Sequence, residues 1–358
     1  MPIVSIIMPI YNIGHKQRAF QTAVHSLQRQ TFTDFELLII NDGSPDRVSG
    51  DIARKYAKKD GRIRVIDKEN GGQESTRRLG LQQAEGEFIL HMDQDDYYFP
   101  NAIELFLNRQ KETNADVVIA PNGHFAFSTK LKYHMPGKAS WINDRVLSNR
   151  EFMEEYYISF FGVNILPVSI WNKLYKQSFL ENNPTPPTIN KYTEDINYNM
   201  HLLPYADKIS IMSDITYLWR WGGYSSDTST YDLDAWKFLY QNKIQLMQQW
   251  SLEEKFEKFA AIEMLNCCLS SYYSLFCKCN SREQVRENIL KTLSDPTINY
   301  ALETVNRLDT GNPRIVMIRN NQIELLLDYL EQKVDNTRFR RRIYGGIRDL
   351  TRLLHVGG

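Results

Sequence analysis

Three carboxylates stand within four residues at Asp93-Gln94-Asp95-Asp96, directly after the apolar run Phe88-Ile89-Leu90-His91-Met92. Carboxylates that close repel one another unless a positive charge sits among them. A divalent cation answers that need, and an all-oxygen donor set suits Mg²⁺ or Mn²⁺, ions that keep waters and bind substrate phosphates. The alternative is a solvated acidic turn opening the next helix. A second acidic pair, Glu194-Asp195, follows Thr193, a candidate helix cap. An attacking hydroxyl needs a base for its proton, which either carboxylate could supply, although acidic residues are favoured in any first helical turn.

Other side chains could complete such a site. Asp42, after Ile39-Ile40, could accept a hydrogen bond from the ring N–H of a uracil or thymine, or simply belong to the turn Asn41-Asp42-Gly43-Ser44. Tyr11 could stack on a base or fill the core. Gly71-Gly72 opens a helix carrying Arg77 and Arg78, which suits phosphate or base contact; Arg77 paired to a carboxylate is the alternative. Arg220 precedes the loop Gly222-Gly223-Tyr224-Ser225-Ser226, which could close over a diphosphate leaving group or be plain surface. Among the seven histidines there is no Ser-His-Asp order or metal-type spacing, and neither Gly-x-Gly-x-x-Gly nor a P-loop occurs. A hydrolase triad or a kinase is unsupported.

The elements that must position these groups alternate. Strand runs at 4–8, 36–40, 63–66, 87–92 and 116–120 are separated by amphipathic stretches such as Phe20, Ala23, Val24 and Leu27. Short connections between them imply a mostly parallel sheet covered on both faces. Ligands bind outside the carboxyl ends of such strands, so the turns after Met8, Ile40 and Met92 should converge on one crevice. Residues 121–165 show no clear period, 171–176, 208–212 and 217–220 look like strands, and from Asp232 the pattern is helical. We expect a domain over residues 1–230 and a helical one over 231–358.

With 43 basic and 43 acidic residues, the chain has no net charge to recommend nucleic acid as a partner. It opens on a strand rather than a signal segment, and no stretch approaches the length of an apolar membrane span. Cys267, Cys268, Cys277 and Cys279 share one helical segment without zinc-type spacing, so we expect core cysteines in a reducing, cytoplasmic setting. Residues 336–358 carry six arginines against Asp349 alone. Such an end suits peripheral contact with the inner face of an anionic membrane, or a packed helix with a solvated basic face.

Taken together, these residues resemble family 2 of the inverting glycosyltransferases. The match lies in Val4 to Asn12, in Gln30 to Ser44, in Glu85 to Asp96 with its DxD pattern, and in Trp171-Asn172-Lys173-Leu174-Tyr175 followed by Glu194-Asp195. The resemblance covers about residues 1–226 and implies a GT-A nucleotide-sugar-binding fold and transfer of a sugar from a nucleotide-diphosphate sugar, UDP by family frequency. The acceptor would be a hydroxyl of a glycan, lipid-linked saccharide or glycoprotein. It further implies donor contacts at Pro9, Tyr11, Asp42, Arg77, Asp93, Gln94 and Arg220. Asp95 would hold the Mn²⁺ or Mg²⁺, Asp195 would be the base, and Trp171, Lys173 and Glu194 would lie on the acceptor side. Arg78 replaces the family's usual Asn, and Asn41 a frequent aspartate. Two rival readings remain, a catalytically silent nucleotide-sugar-binding subunit and a nucleotidyltransferase.

Overall fold

β1 (Val4–Ile10) is buried at all seven positions, as a strand covered on both faces must be. It pairs in parallel with β2 (Phe35–Asp42) from Val4↔Phe35 to Ile10↔Asn41 and with β4 (Phe88–His91) from Val4↔Phe88 to Ile7↔His91. β3 (Ile63–Lys68) extends β2 on the outer side. The computed structural model describes residues 1–46, 48–126, 139, 142–163, 165–187, 193–221, 232–278, 281–307 and 313–335. Pro9 sits inside β1 without disrupting it, because Ile7 O accepts from Met92 N–H and the same edge reaches Pro9 only after β4 has ended. The missing N–H therefore costs no ladder bond.

The parallel block continues into a mixed half. The eight strands run β3-β2-β1-β4-β9-β6-β10-β8, with β6 (Val117–Ile119), β8 (Arg145–Ser148), β9 (Lys173–Lys176) and β10 (Lys208–Ile211). β9 is antiparallel to both neighbours, wedged between β4 and β6. A second, three-stranded sheet places β11 (Tyr217–Trp221) between β5 (Tyr97–Tyr98) and β7 (Asn122–Ala126). β5 is two residues long and has no pattern of its own; β11 holds it, through Tyr217↔Tyr98.

Helices cover the sheet as their apolar stripes dictate. In α1 (Gln17–Gln28), Phe20, Ala23, Val24 and Leu27 are all fully buried; burying each of the larger three contributes roughly 1.5–3 kcal/mol. α2 (Val48–Ala57) and α4 (Ala102–Thr113) bury Ile52 and Ala53, and Ile103 and Phe106. α3 (Gly72–Gln83) lies against β1 and β2 where Gly80 has no side chain: a Cβ there would stand 2.4 Å from Ile7 Cγ2. The stretch without a period also contains α5 (Asn149–Glu155), announced by a Ser148–Glu151 capping box. α6 (Gln177–Asn182) and α7 (Glu194–Leu202) complete this half.

By contacts the chain divides into two units, Met1–Thr228 and Ser229–Gly358. In the second, Asp232 caps α8 (Leu233–Trp250) by accepting from the N–H groups of Asp234 and Ala235 at 3.1 and 3.2 Å. α9 (Glu253–Cys277), α10 (Arg282–Leu293), α11 (Pro296–Arg307), α12 (Pro313–Arg319) and a helix over 323–335 follow. Cys267 and Cys268 are core residues, but Cys277, the last residue of α9, is exposed beside the buried Phe276. Cys279 and the arginine-rich residues 336–358 lie outside the described residues. No described helix is long and apolar enough to cross a membrane.

Candidate active site

The turns at the ends of β1, β2 and β4 form one connected set of side chains. Tyr11, just beyond β1, is 43% exposed. Its backbone N–H donates to Gln94 Oε1 at 2.8 Å, and Gln94 Nε2 returns a bond to Tyr11 O at 3.3 Å. Gln94 thus clamps the β1 turn to the acidic turn, with Tyr11 facing outward. Pro9, buried in the strand, serves the same edge.

Asp42, at the end of β2, is buried, and its carboxylate is engaged within the protein. Oδ1 accepts from Lys68 Nζ at 2.7 Å and Gly71 N–H at 2.9 Å, and Oδ2 from Gly72 N–H at 2.8 Å. The carboxylate anchors the glycine turn at the positive end of α3. Gly72 makes this possible with φ +87, a conformation costly for other residues.

α3 then carries Arg77 into the centre. Its side chain is 7% exposed; Nη2 donates to Asp93 Oδ1 at 3.1 Å and Nη1 to Asp195 Oδ1 at 2.7 Å, and Glu194 Oε2 stands 3.9 Å from Nη1. The guanidinium therefore joins the acidic turn after β4 to the acidic pair opening α7. Burial pushes the Asp93 carboxyl up to about 6 against the pull of Arg77, with Asp195 and Asp95 adding to the rise. Burial likewise raises Glu194 to about 7, with Arg77 opposing.

The far side of the acidic turn is held by β11. Tyr217 Oη donates to Asp96 Oδ2 at 2.6 Å and accepts from Asp93 N–H at 3.2 Å. Arg220 N–H donates to Asp96 Oδ1 at 2.8 Å, and its Nε donates to the Asp95 carbonyl. Burial lifts the Asp96 carboxyl well above the usual range, with Asp93 and Asp95 reinforcing it. The turn thus brings three carboxyl groups together in a buried setting, and its donors are hard oxygens. Both properties fit a divalent cation. Among the described residues no group of three or more His, Cys, Asp or Glu could hold a metal, so phosphate oxygens and water would supply most of its shell.

Several expectations change. Arg220 is 2% exposed and braces the acidic turn from behind; the loop expected to carry it over a diphosphate, 222–226, lies outside the described residues. Lys173 is fully buried, and its Nζ donates to the carbonyls of Pro167 and Ser169, so it supports a loop instead of meeting an acceptor. Burial draws it down to about 7. Trp171 stacks on Tyr217 with centroids 4.7 Å apart, which makes it part of the wall behind the turn. Thr193 occupies the cap position of α7, but its hydroxyl caps nothing. Arg78 turns away from the site, to Glu74 and the Thr185 carbonyl. Asp96, Tyr217 and Lys68 were not foreseen as site residues. Asp96 lay in the acidic run, whereas nothing local in the chain connects Tyr217 to it.

Residues 5–181 match the family model described as glycosyl transferase family 2. The chain carries a family 2 glycosyltransferase domain. It is 31% identical over 221 residues to the uncharacterized glycosyltransferase EpsJ of Bacillus subtilis, covering 62% of this chain and 61% of that protein. To the glycosyltransferase GlyA of Streptococcus pneumoniae it is 27% identical over 218 residues, 61% of this chain and 30% of that one. The matches therefore span less than two thirds of these curated relatives. Among solved structures, S. aureus TarS 1-349 in complex with UDP-GlcNAc superposes with a TM-score of 0.64 at 21% identity, covering 94% of this chain and 92% of that one. The fold of the glycosyltransferase domain is GT-A, followed in this chain by a helical C-terminal region.

Proposed function

We propose that this chain transfers a sugar from a nucleotide-diphosphate sugar, UDP-linked, to an acceptor hydroxyl with inversion at the anomeric carbon. The observation that carries the reading is Arg77 holding Asp93 and Asp195 at 3.1 and 2.7 Å across 118 residues of sequence. It brings the acidic turn that would face a diphosphate within one guanidinium of a candidate base. The UDP-GlcNAc and UDP bound by the structural relative TarS support the choice of nucleotide.

Tyr11 would stack on the base, and the lone pairs Asp42 keeps would take its ring N–H. Asp93 would face the ribose, with Pro9 and Gln94 fixing the turn beneath. Mn²⁺ or Mg²⁺, held by Asp95 and the diphosphate, would offset charge developing on the leaving group. Among the described residues Asp195 Oδ2 makes no hydrogen bond. Arg77 fixes Oδ1 and leaves Oδ2 to take the acceptor proton as the acceptor's hydroxyl oxygen attacks the anomeric carbon. The nucleoside diphosphate departs from the opposite face. Glu194, beside this base, lies on the acceptor side. The acceptor would be a surface glycan or a lipid-linked or glycoprotein saccharide, met from the cytoplasmic side.

Asp195→Asn keeps the shape and removes the base. Turnover should fall at least a hundredfold, while calorimetric titration with UDP and Mn²⁺ changes little. A variant that turns over at near-normal rate takes the role of base from Asp195.

A further inference from the structure

A cleft of about 420 Å³ opens on α3, α6 and α7, within the range of small-molecule pockets, roughly 300–1,000 Å³. Arg77 and Glu194 line it; Asp93 and Asp195 do not. One guanidinium therefore separates this cleft from the base and the acidic turn. Unmatched polar atoms lie just beneath its surface. Arg77 Nε, both nitrogens of His91 and Glu194 Oε2 are buried and find no hydrogen-bond partner among the described residues. A buried polar group left unmatched is destabilising. Burial and the nearby Arg77 hold the His91 imidazole well below its ordinary value, so it is neutral and presents one donor and one acceptor.

Charge decides the class of ligand. Among the described residues, the walls carry three carboxylates, Glu74, Glu181 and Glu194, against two guanidiniums, Arg77 and Arg78. Both guanidiniums are already paired to carboxylates, Arg78 to Glu74 and Arg77 to Asp93 and Asp195. Among the described residues of the cleft, no cation is left over for a phosphate. Leu81, Leu180 and Tyr198 supply an apolar wall, and Gln82, Gln177 and Asn183 supply amides. A neutral sugar matches this mixture. Its C–H faces pack on aliphatic and aromatic surface, and each hydroxyl both donates and accepts.

We infer that this cleft is a subsite for one neutral saccharide unit of the acceptor, adjacent to the unit whose hydroxyl meets Asp195. The inference rests on the glycosyltransferase reading and narrows its acceptor to a neutral glycan of at least two sugars.

The test uses the full chain with UDP and Mn²⁺, and saturation-transfer NMR with lactose, cellobiose, maltose and chitobiose as probes, glucose 6-phosphate being the charged counterpart. Gln82, exposed on α3 at the cleft, is changed in Gln82→Trp to block the cleft without touching the core; Leu180→Trp fills it from inside. At least one neutral disaccharide should bind the wild type, and its Kd should rise tenfold or more in Gln82→Trp. Equal affinity in both proteins, tighter binding of glucose 6-phosphate, or UDP binding with no disaccharide signal overturns the inference alone. Absence of UDP binding to the wild type overturns the glycosyltransferase reading, and the subsite with it.

Discussion

Glu194 is worse off when ionised in the folded chain than in water. Burial raises its carboxyl from 4.5 to about 7 despite Arg77, whereas the unfolded chain gives up that proton near the ordinary value. Between these two values the native state binds more protons than the unfolded state, so this group's contribution to stability is lost as pH rises through that window. Glu194→Gln removes the effect. The stability gap between variant and wild type should widen in the variant's favour by about 1–3 kcal/mol from pH 5 to pH 8, as thermal denaturation would show. A gap that does not move with pH removes Glu194 as the titrating group. Residue identity alone could not have disclosed this. Glu194 and Asp195 are adjacent acids, yet their side chains are 8% and 29% exposed, and that difference separates a buried carboxylate from a partly exposed one.

At the level of elements, legibility followed the number of buried positions. The runs at 4–8 and 36–40 could be read directly because a buried parallel strand is apolar throughout. β9 could be read as a strand, but not as the antiparallel wedge between β4 and β6, since nothing in Lys173-Leu174-Tyr175-Lys176 states its neighbours. α5 and β8 went unseen because each has a single buried residue, Phe152 and Leu147, which is too few to show a period. The candidate site was legible where carboxylates cluster and illegible where a partner lies more than a hundred residues away, as Tyr217 does from Asp96. α3 shows how an element transmits its packing to chemistry. Gly80→Ala places a Cβ 2.4 Å from Ile7 and 3.0 Å from Ile40, and such overpacking costs about 1–3 kcal/mol, more than the helix gains from alanine, about 1 kcal/mol. The melting midpoint should fall by several degrees. UDP affinity should weaken with it, because Arg77 rides on the preceding turn. An unchanged midpoint would mean that the helix–sheet spacing is looser than the distances imply.

At the scale of the molecule, every candidate donor and base residue, from Pro9 to Arg220, lies within Met1–Thr228. That unit carries its own core, centred on β1, β2 and β4. Residues 1–228 expressed alone should therefore bind UDP with Mn²⁺ within about threefold of the full chain, by calorimetry. Loss of binding would assign the helical unit a part in the donor site.

The brace of Tyr217 and Arg220 on Asp96 spans up to 124 residues, and this has a consequence in time. A ribosome adding roughly 5–20 residues per second needs about 6–25 s after making Asp96 to make Arg220. For that interval the growing chain holds an acidic turn whose stabilising bonds have yet to be synthesised. Capture of nucleotide on the nascent polypeptide should therefore begin only once β11 has left the exit tunnel.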